Sequence, residues 1–256
     1  MKLKYIAVVV LTMGAIGPAT AQHWGYSGEA APQNWSKLDP KFAMCATGKH
    51  QSPIDLASFT KGDSKPVKLD YKKGATEILN HGHVVQINSE ILNNGHTVQI
   101  NYQPGSTLTA DGRTFELKQF HFHSPSENTF NGKHFPLEGH LVHADKDGNL
   151  AVVAVMFTEG AANPFIASLW KQMPNKAGDK NTLVSPVSVL EMLPAERSYY
   201  RFEGSLTTPP CSEGVRWLVV KKPVTASKAQ IDAFTKAVGF ANNRPVQPLN
   251  DRKVLQ

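Results

Sequence analysis

The segment Gln119-Phe120-His121-Phe122-His123 alternates apolar and histidine side chains with a period of two. Only a β-strand turns that alternation into two distinct faces. Phe120 and Phe122 are therefore expected to pack into a core, while His121 and His123 aim their imidazoles at one point on the other side. A second strand-like run, His140-Leu141-Val142-His143, can lie beside the first and bring a third nitrogen from His140. Three imidazoles and one open position describe a catalytic zinc site, whereas a structural site is normally closed by four protein ligands, usually including cysteines. No cysteine lies near these histidines.

Histidines of ordinary half-buried strands look the same in isolation, so the neighbours decide. Gln119, two residues before His121, and Glu138, two before His140, share the faces of those histidines and can accept their second ring N–H. Metal-bound histidines almost always have such an acceptor, which sets the tautomer and raises ligand basicity. His143 has the opposite parity to His140 and no comparable neighbour, so it reads as a core histidine with a satisfied hydrogen bond. His23, His50 and His134 receive the same reading.

The stretch Gly204-Ser205-Leu206-Thr207-Thr208-Pro209-Pro210-Cys211 is a rigid loop, because its two prolines fix φ and remove backbone donors. Such a loop can hold a hydroxyl where it accepts a hydrogen bond from a zinc-bound hydroxide and orients that oxygen. The hydroxyl then needs an acceptor of its own. Glu127, in Ser124-Pro125-Ser126-Glu127-Asn128, is the candidate carboxylate.

With these motifs the chain resembles the α-class carbonic anhydrases. The matching segments run in order: His23 to Tyr26, Gln51 to Asp55, Asn93 to His96, Gln119 to His123, Ser126-Glu127, Glu138 to His143, Gly204 to Pro210, then Arg244-Pro245 and Gln247 to Leu249. The resemblance implies zinc on His121, His123 and His140, and reversible hydration of carbon dioxide to bicarbonate and a proton by zinc-bound hydroxide. It implies Thr207 with Glu127 as the orienting pair, Thr208 placing bicarbonate, and Val142, Val152, Leu206 and Trp217 as the apolar wall for carbon dioxide. His96 matches the proton-shuttle position, and Tyr26, Asn94 and Gln99 match a polar wall that orders water. Asn128 and Asn243 depart from the family pattern, which has a histidine and an aromatic residue there in many members.

A further departure is internal. Glu77 to Asn88 recurs almost unchanged as Glu90 to Asn101, an offset of 13 positions. An odd offset turns the second copy to the opposite face of any single unbroken strand, so His83 and His96 cannot both serve one cavity. Either one copy bulges out of the sheet, or the two pair as an antiparallel hairpin about positions 88–90. The fuller match of the second copy assigns the shuttle position to His96.

Met1-Lys2-Leu3-Lys4, an apolar run from Tyr5 to Ile16 and Ala19-Thr20-Ala21 have the form of a secretory signal, too short for a membrane anchor. Residues 1–21 are expected to be removed and 22–256 to form one domain in the periplasm or outside the cell, with no membrane span. Of 27 Lys and Arg against 21 Asp and Glu, two lysines leave with the signal, and the scattered excess gives no support to nucleic-acid binding. In an exported chain Cys45 and Cys211 are expected to form a disulfide, a bridge that the resemblance also includes. It would tether the Thr207 loop to the N-terminal region. The chain is expected to act as a monomer or homodimer.

Alternating or β-branched runs at 84–87, 98–102, 120–123, 150–157 and 215–220 predict a mainly β fold, a large twisted, mostly antiparallel central sheet with short surface helices. Asn163-Pro164 predicts a helix to about Met173, and the capping box Ser227 to Gln230 predicts one ending before Gly239. Two rival readings are a carbonic-anhydrase-like binding module without catalysis and a periplasmic zinc-storage protein. The first conflicts with the presence of all three histidines, and the second has no use for Glu127 and Thr207. Hydrolysis of small esters is an expected side activity.

Overall fold

A computed structural model describes residues 23–62, 66–81, 96–174 and 176–256. The expected signal segment, His83, Asn94 and the run 84–87 lie outside the described residues. Thirteen strands are found among those described, β1 (Asp55–Leu56), β2 (Lys68–Asp70), β3 (Ala75–His81), β4 (Thr97–Tyr102), β5 (Thr107–Ala110), β6 (Arg113–His123), β7 (Thr129–Phe130), β8 (Leu137–Ala144), β9 (Leu150–Glu159), β10 (Lys180–Val187), β11 (Tyr199–Ser205), β12 (Glu213–Val220) and β13 (Val224–Ala226). The α-helices are short: α1 (Trp35–Leu38), α2 (Met44–Thr47), α3 (Pro164–Trp170) and α4 (Lys228–Val238).

Eleven of the strands form one sheet, ordered β10-β3-β4-β6-β8-β9-β12-β11, with β5 against β6, β2 against β5, and β13 against β9. The pairs β9–β12 and β9–β13 are parallel and the others in this sheet antiparallel. This is the mainly β, mostly antiparallel architecture that the sequence predicts. The two repeat copies meet as antiparallel neighbours, Glu77 opposite Asn101 and His81 opposite Thr97, a register centred on position 89. The choice between a bulged copy and a hairpin about 88–90 falls on residues 82–95, which lie outside the described residues.

Register places the chemistry. Gln99, His121, His140 and Ala154 lie side by side across β4, β6, β8 and β9, and Gln119, Val142, Val152 and Trp217 form the adjacent row across β6, β8, β9 and β12. Both rows project from the same face, since they are two residues apart on each shared strand. The intervening row, Ile100, Phe120, Leu141, Val153 and Leu218, projects from the opposite face, where all five are buried in the largest apolar cluster. Phe120 and Phe122 are both fully buried there. Each such ring contributes about 2–3 kcal/mol relative to exposure, which makes a one-residue slip of β6 prohibitive.

The same cluster is covered by α3 and α4 through Phe165, Ile166, Leu169, Ile231, Phe234 and Val238. Asn163 caps α3 by accepting from the Ile166 amide at 3.2 Å. Regular α geometry stops at Trp170 and not at Met173, because the amides of Gln172 and Met173 turn to carbonyls three residues back, which tightens the last turn. The capping box on α4 is complete, with the Ser227 hydroxyl accepting from the Gln230 amide and the Gln230 side chain accepting from the Ser227 amide. Gly239 ends the helix at φ 86°, a left-handed conformation that favours glycine.

Candidate metal centre

His121 and His123 leave the end of β6 on one face, and β8 brings His140 directly opposite His121. One nitrogen from each converges, and the three atoms lie within 4.8 Å of one another. The other nitrogen of each is held. His121 Nδ1 donates to Gln119 Oε1 at 2.8 Å, His123 Nδ1 to the Asn242 carbonyl at 2.7 Å, and His140 Nε2 to Glu138 Oε1 at 2.9 Å. These acceptors put a proton on the outer nitrogen, which leaves Nε2, Nε2 and Nδ1 as lone pairs facing one point. Burial, as the leading cause, lowers the pKa of His123 and, more strongly, of His140, so both offer neutral imidazoles.

Glu127 lies behind this point, fully buried. Its Oε1 accepts the Arg244 amide at 2.9 Å, and its Oε2 is 3.5 Å from His123 Nε2 and 4.0 Å from His140 Nδ1. Burial pushes its pKa well above the usual carboxylate range, opposed by the Arg244 amide and the nearby Thr207 hydroxyl. His123 Nε2 and Glu127 Oε2 are both buried without a hydrogen-bond partner. An unsatisfied buried polar atom costs about 1–3 kcal/mol, and a cation at the convergence point removes that cost for the imidazole. The donor set therefore fits a metal.

Glu138 is likewise fully buried, and burial raises its pKa. Its Oε2 accepts the amides of Glu127 at 2.6 Å and Asn128 at 2.9 Å, and its Oε1 accepts Asn128 Nδ2 at 2.7 Å. Asn128, one of the departures from the family pattern, thus touches the carboxylate that holds His140.

The Thr207 loop is locked from several sides. Ser52 and Ser205 exchange hydrogen bonds, each amide donating to the other's hydroxyl, at 2.8 and 3.1 Å, and Trp217 Nε1 donates to the Ser205 carbonyl at 3.1 Å. A Cβ on Gly204 would meet Ser52 Oγ at 2.2 Å, so only glycine permits this approach. Cys45 and Cys211 are disulfide-bonded. The Arg244 guanidinium, 2% exposed, donates to Gln51 Oε1 at 2.9 Å, the Ser52 carbonyl at 2.8 Å and the Cys45 carbonyl at 2.9 Å. One arginine therefore ties the disulfide region to the loop beside it and, through its amide, to Glu127.

A cavity opens from the metal point and is lined by the three histidines, Gln119, Gln99, Tyr26 and His96, with Val142, Val152, Leu206 and Trp217 on the apolar side and Thr207 and Thr208 beside them. Of the remaining expected site residues among those described, Glu127 and Glu138 stand behind its histidines, and Cys45 and Cys211 are not part of its lining. Sequence reasoning missed Asn242, which holds His123 by its main-chain carbonyl, the Ser124 amide by its Oδ1 at 2.8 Å, and the carbonyls of His96 and Phe122 by its Nδ2 at 2.9 and 3.0 Å. Backbone acceptors leave no residue-type signal. His143 is a core residue, as expected. His23 and His134 are exposed and His50 is half-buried against Asp251 at 3.1 Å, which corrects their reading as core histidines.

A family model described as eukaryotic-type carbonic anhydrase matches residues 30–256. The chain belongs to this family, the α-class carbonic anhydrases. A carbonic anhydrase of Pectobacterium carotovorum is 47% identical over 256 residues, the whole of both chains. One from Neisseria gonorrhoeae is 44% identical, covering 98% of this chain and 95% of the relative. Among solved structures, the α-carbonic anhydrase of Thermovibrio ammonificans in complex with the inhibitor sulfanilamide superposes with a TM-score of 0.85 at 47% identity, covering 91% of this chain and 99% of that one. Dioscorin complexed with ascorbate does so with a TM-score of 0.80 at 31% identity, covering 91% and 97%. Fold, family and enzyme class are thus those that the sequence predicts for a carbonic anhydrase.

Proposed function

We propose that the chain catalyses the reversible hydration of carbon dioxide to bicarbonate and a proton at a zinc ion held by His121 Nε2, His123 Nε2 and His140 Nδ1. The observation that carries this reading is the convergence of three lone pairs onto one point beside an apolar wall, with each imidazole held by its own acceptor. Three neutral imidazoles leave the charge of zinc uncompensated, and in carbonic anhydrases as a class zinc lowers the pKa of its water from about 15.7 to near 7.

The remaining work falls to the chain. The Arg244 amide occupies Glu127 Oε1, so Oε2 is left to accept a hydrogen bond from the Thr207 hydroxyl. Thr207 Oγ1 then accepts a hydrogen bond from the attacking oxygen and turns that oxygen's lone pair toward carbon. Val142, Val152, Leu206 and Trp217 offer carbon dioxide a dry surface without polar competitors. Thr208 orients bicarbonate. Tyr26, Gln99 and Asn94 order water toward His96, whose imidazole passes the proton to buffer. Residues 1–21 act as a cleaved export signal ahead of one domain, 22–256. The disulfide fits the oxidising periplasm or exterior, and no helix among the described residues is long and apolar enough to cross a membrane.

Stopped-flow hydration of carbon dioxide, with and without a chelator and with metal content measured in parallel, tests the reading. Rapid turnover lost on zinc removal and restored by zinc is the expected result, and turnover indifferent to the metal would overturn it. Thr207→Ala is expected to keep zinc yet lose on the order of a hundredfold in rate. An unchanged rate would remove Thr207 from the mechanism.

A further inference from the structure

His96 stands at the mouth of the cavity inside a cluster of aromatic rings. Its ring centroid lies 4.2 Å from that of Trp24, tilted by 38°, and 5.6 Å from Tyr26. On the remaining side stands Phe240, 5.8 Å away and edge-on at 72°, itself 5.8 Å from Tyr26. Phe240 belongs to none of the matched motifs and is 36% exposed. A large apolar ring left that open calls for a local reason.

The chain is built to hold it there. The left-handed Gly239 ends α4 and turns the next residue toward the mouth, with its amide closed onto the Thr235 carbonyl at 2.8 Å. Two residues later, buried Asn242 ties the segment to the His96 carbonyl at 2.9 Å and to His123 Nδ1 at 2.7 Å. Phe240 is therefore pinned relative to the main chain of His96 and to the metal point. The backbone of Gly25 closes the collar, because a Cβ there would stand 3.6 Å from His96 Nε2.

We propose that Phe240 is a positioning residue for His96, its ring completing with Trp24 and Tyr26 an aromatic collar that holds the imidazole at the cavity mouth. This rests on the reading of His96 as proton relay. The collar has an electrostatic consequence, since rings that replace water around an imidazole disfavour its charged form. Burial, the largest cause, takes His96 down from 6.5 to about 4, with a hydrogen bond at the Trp24 backbone opposing and His23 adding to the fall. Among the described residues, the titratable groups around it are His23 and Tyr26 of the N-terminal segment and, across the cavity on β6, His121 and His123; residues 239–242 carry none. The collar thus trades basicity for a single ring position, and of the three described rings Phe240 is the exposed one.

The test is an NMR titration of the His96 ring in the zinc-loaded protein, beside Phe240→Ala and Phe240→Tyr. In the unaltered protein the midpoint is expected well below 6.5. Phe240→Ala is expected to raise it by about one pH unit or more by readmitting water, and Phe240→Tyr, which keeps the ring, to leave it low. An undepressed midpoint at the start, or one that Phe240→Ala leaves in place, would overturn the collar. His96→Ala assayed in weak buffer, with and without added imidazole, judges the relay separately: no loss of turnover removes the relay, and the titration still decides the collar.

Discussion

Strand β8 carries two histidines three residues apart, His140 and His143, that are 2% and 0% exposed. Burial lowers the basicity of both. Yet they do opposite things. His143 points into the main core, where Nδ1 donates to the Ala151 carbonyl at 3.1 Å and Nε2 accepts the Tyr71 hydroxyl at 2.8 Å, so its hydrogen bonding is complete. His140 has only Nε2 engaged, and its Nδ1 joins two other imidazole nitrogens at one point. Neither burial nor a shifted pKa marks a site by itself. A lone pair kept open by design, with others converging on it, does.

Exchanging each histidine for alanine probes this contrast most strongly. His140→Ala, like His121→Ala or His123→Ala, is expected to abolish zinc binding and carbon dioxide hydration together, because a three-ligand site loses both affinity and geometry. His143→Ala is expected to keep its zinc and lose about 2–4 kcal/mol of stability in denaturant titration, from the cavity and the stranded Tyr71 hydroxyl. Metal analysis showing full zinc in His140→Ala, or none in folded His143→Ala, breaks the contrast.

Acid, read against a variant without His143, isolates the core member. The folded protein holds His143 neutral down to about 4, whereas the unfolded chain takes up a proton near 6.5. Between those values the unfolded state binds more protons, so stability falls as pH drops from 6.5 to 4 and this contribution levels off below, a loss of about 3 kcal/mol. Urea unfolding across that range should show a component that His143→Gln lacks. Identical pH slopes in the two proteins would mean that His143 is already charged in the fold.

Finer changes separate the partners of the two histidines. Glu138→Gln is expected to weaken zinc about 10–100-fold in chelator competition, since it exchanges the carboxylate that His140 and Asn128 share for a weaker acceptor. Tyr71→Phe removes the corresponding partner of His143 and is expected to cost about 1 kcal/mol in stability while leaving zinc affinity unchanged. A zinc effect from Tyr71→Phe equal to that of Glu138→Gln would show that the two faces of β8 are coupled.

Period-two alternation made His121, His123 and the core roles of Phe120 and Phe122 legible, because strand parity is a local property. The same rule put Gln119 and Glu138 on the faces of their histidines and separated His140 from His143. Helix caps at Asn163 and Ser227 were equally local. By contrast, His123 finds its acceptor 119 positions away, in the main chain of Asn242, and nothing in residue type announces a backbone carbonyl. The three histidines misread as core show the converse limit: His23, His50 and His134 lie in segments without alternation, where no periodicity tells inside from outside.

By itself, then, the sequence determined which side chains share a face, which residues begin and end helices, and the kind of chemistry that three imidazoles and a loop hydroxyl can perform. Tertiary structure decided what those faces meet. The register of β4, β6, β8, β9 and β12 set an apolar row beside the histidine row, Arg244 joined Cys45, Ser52 and Glu127, and Phe240 came to rest against His96. The division has a physical cause. Parity and capping follow from bonds a few residues long, whereas the distances between these groups follow from packing many segments into one core, a property that no short stretch of chain contains.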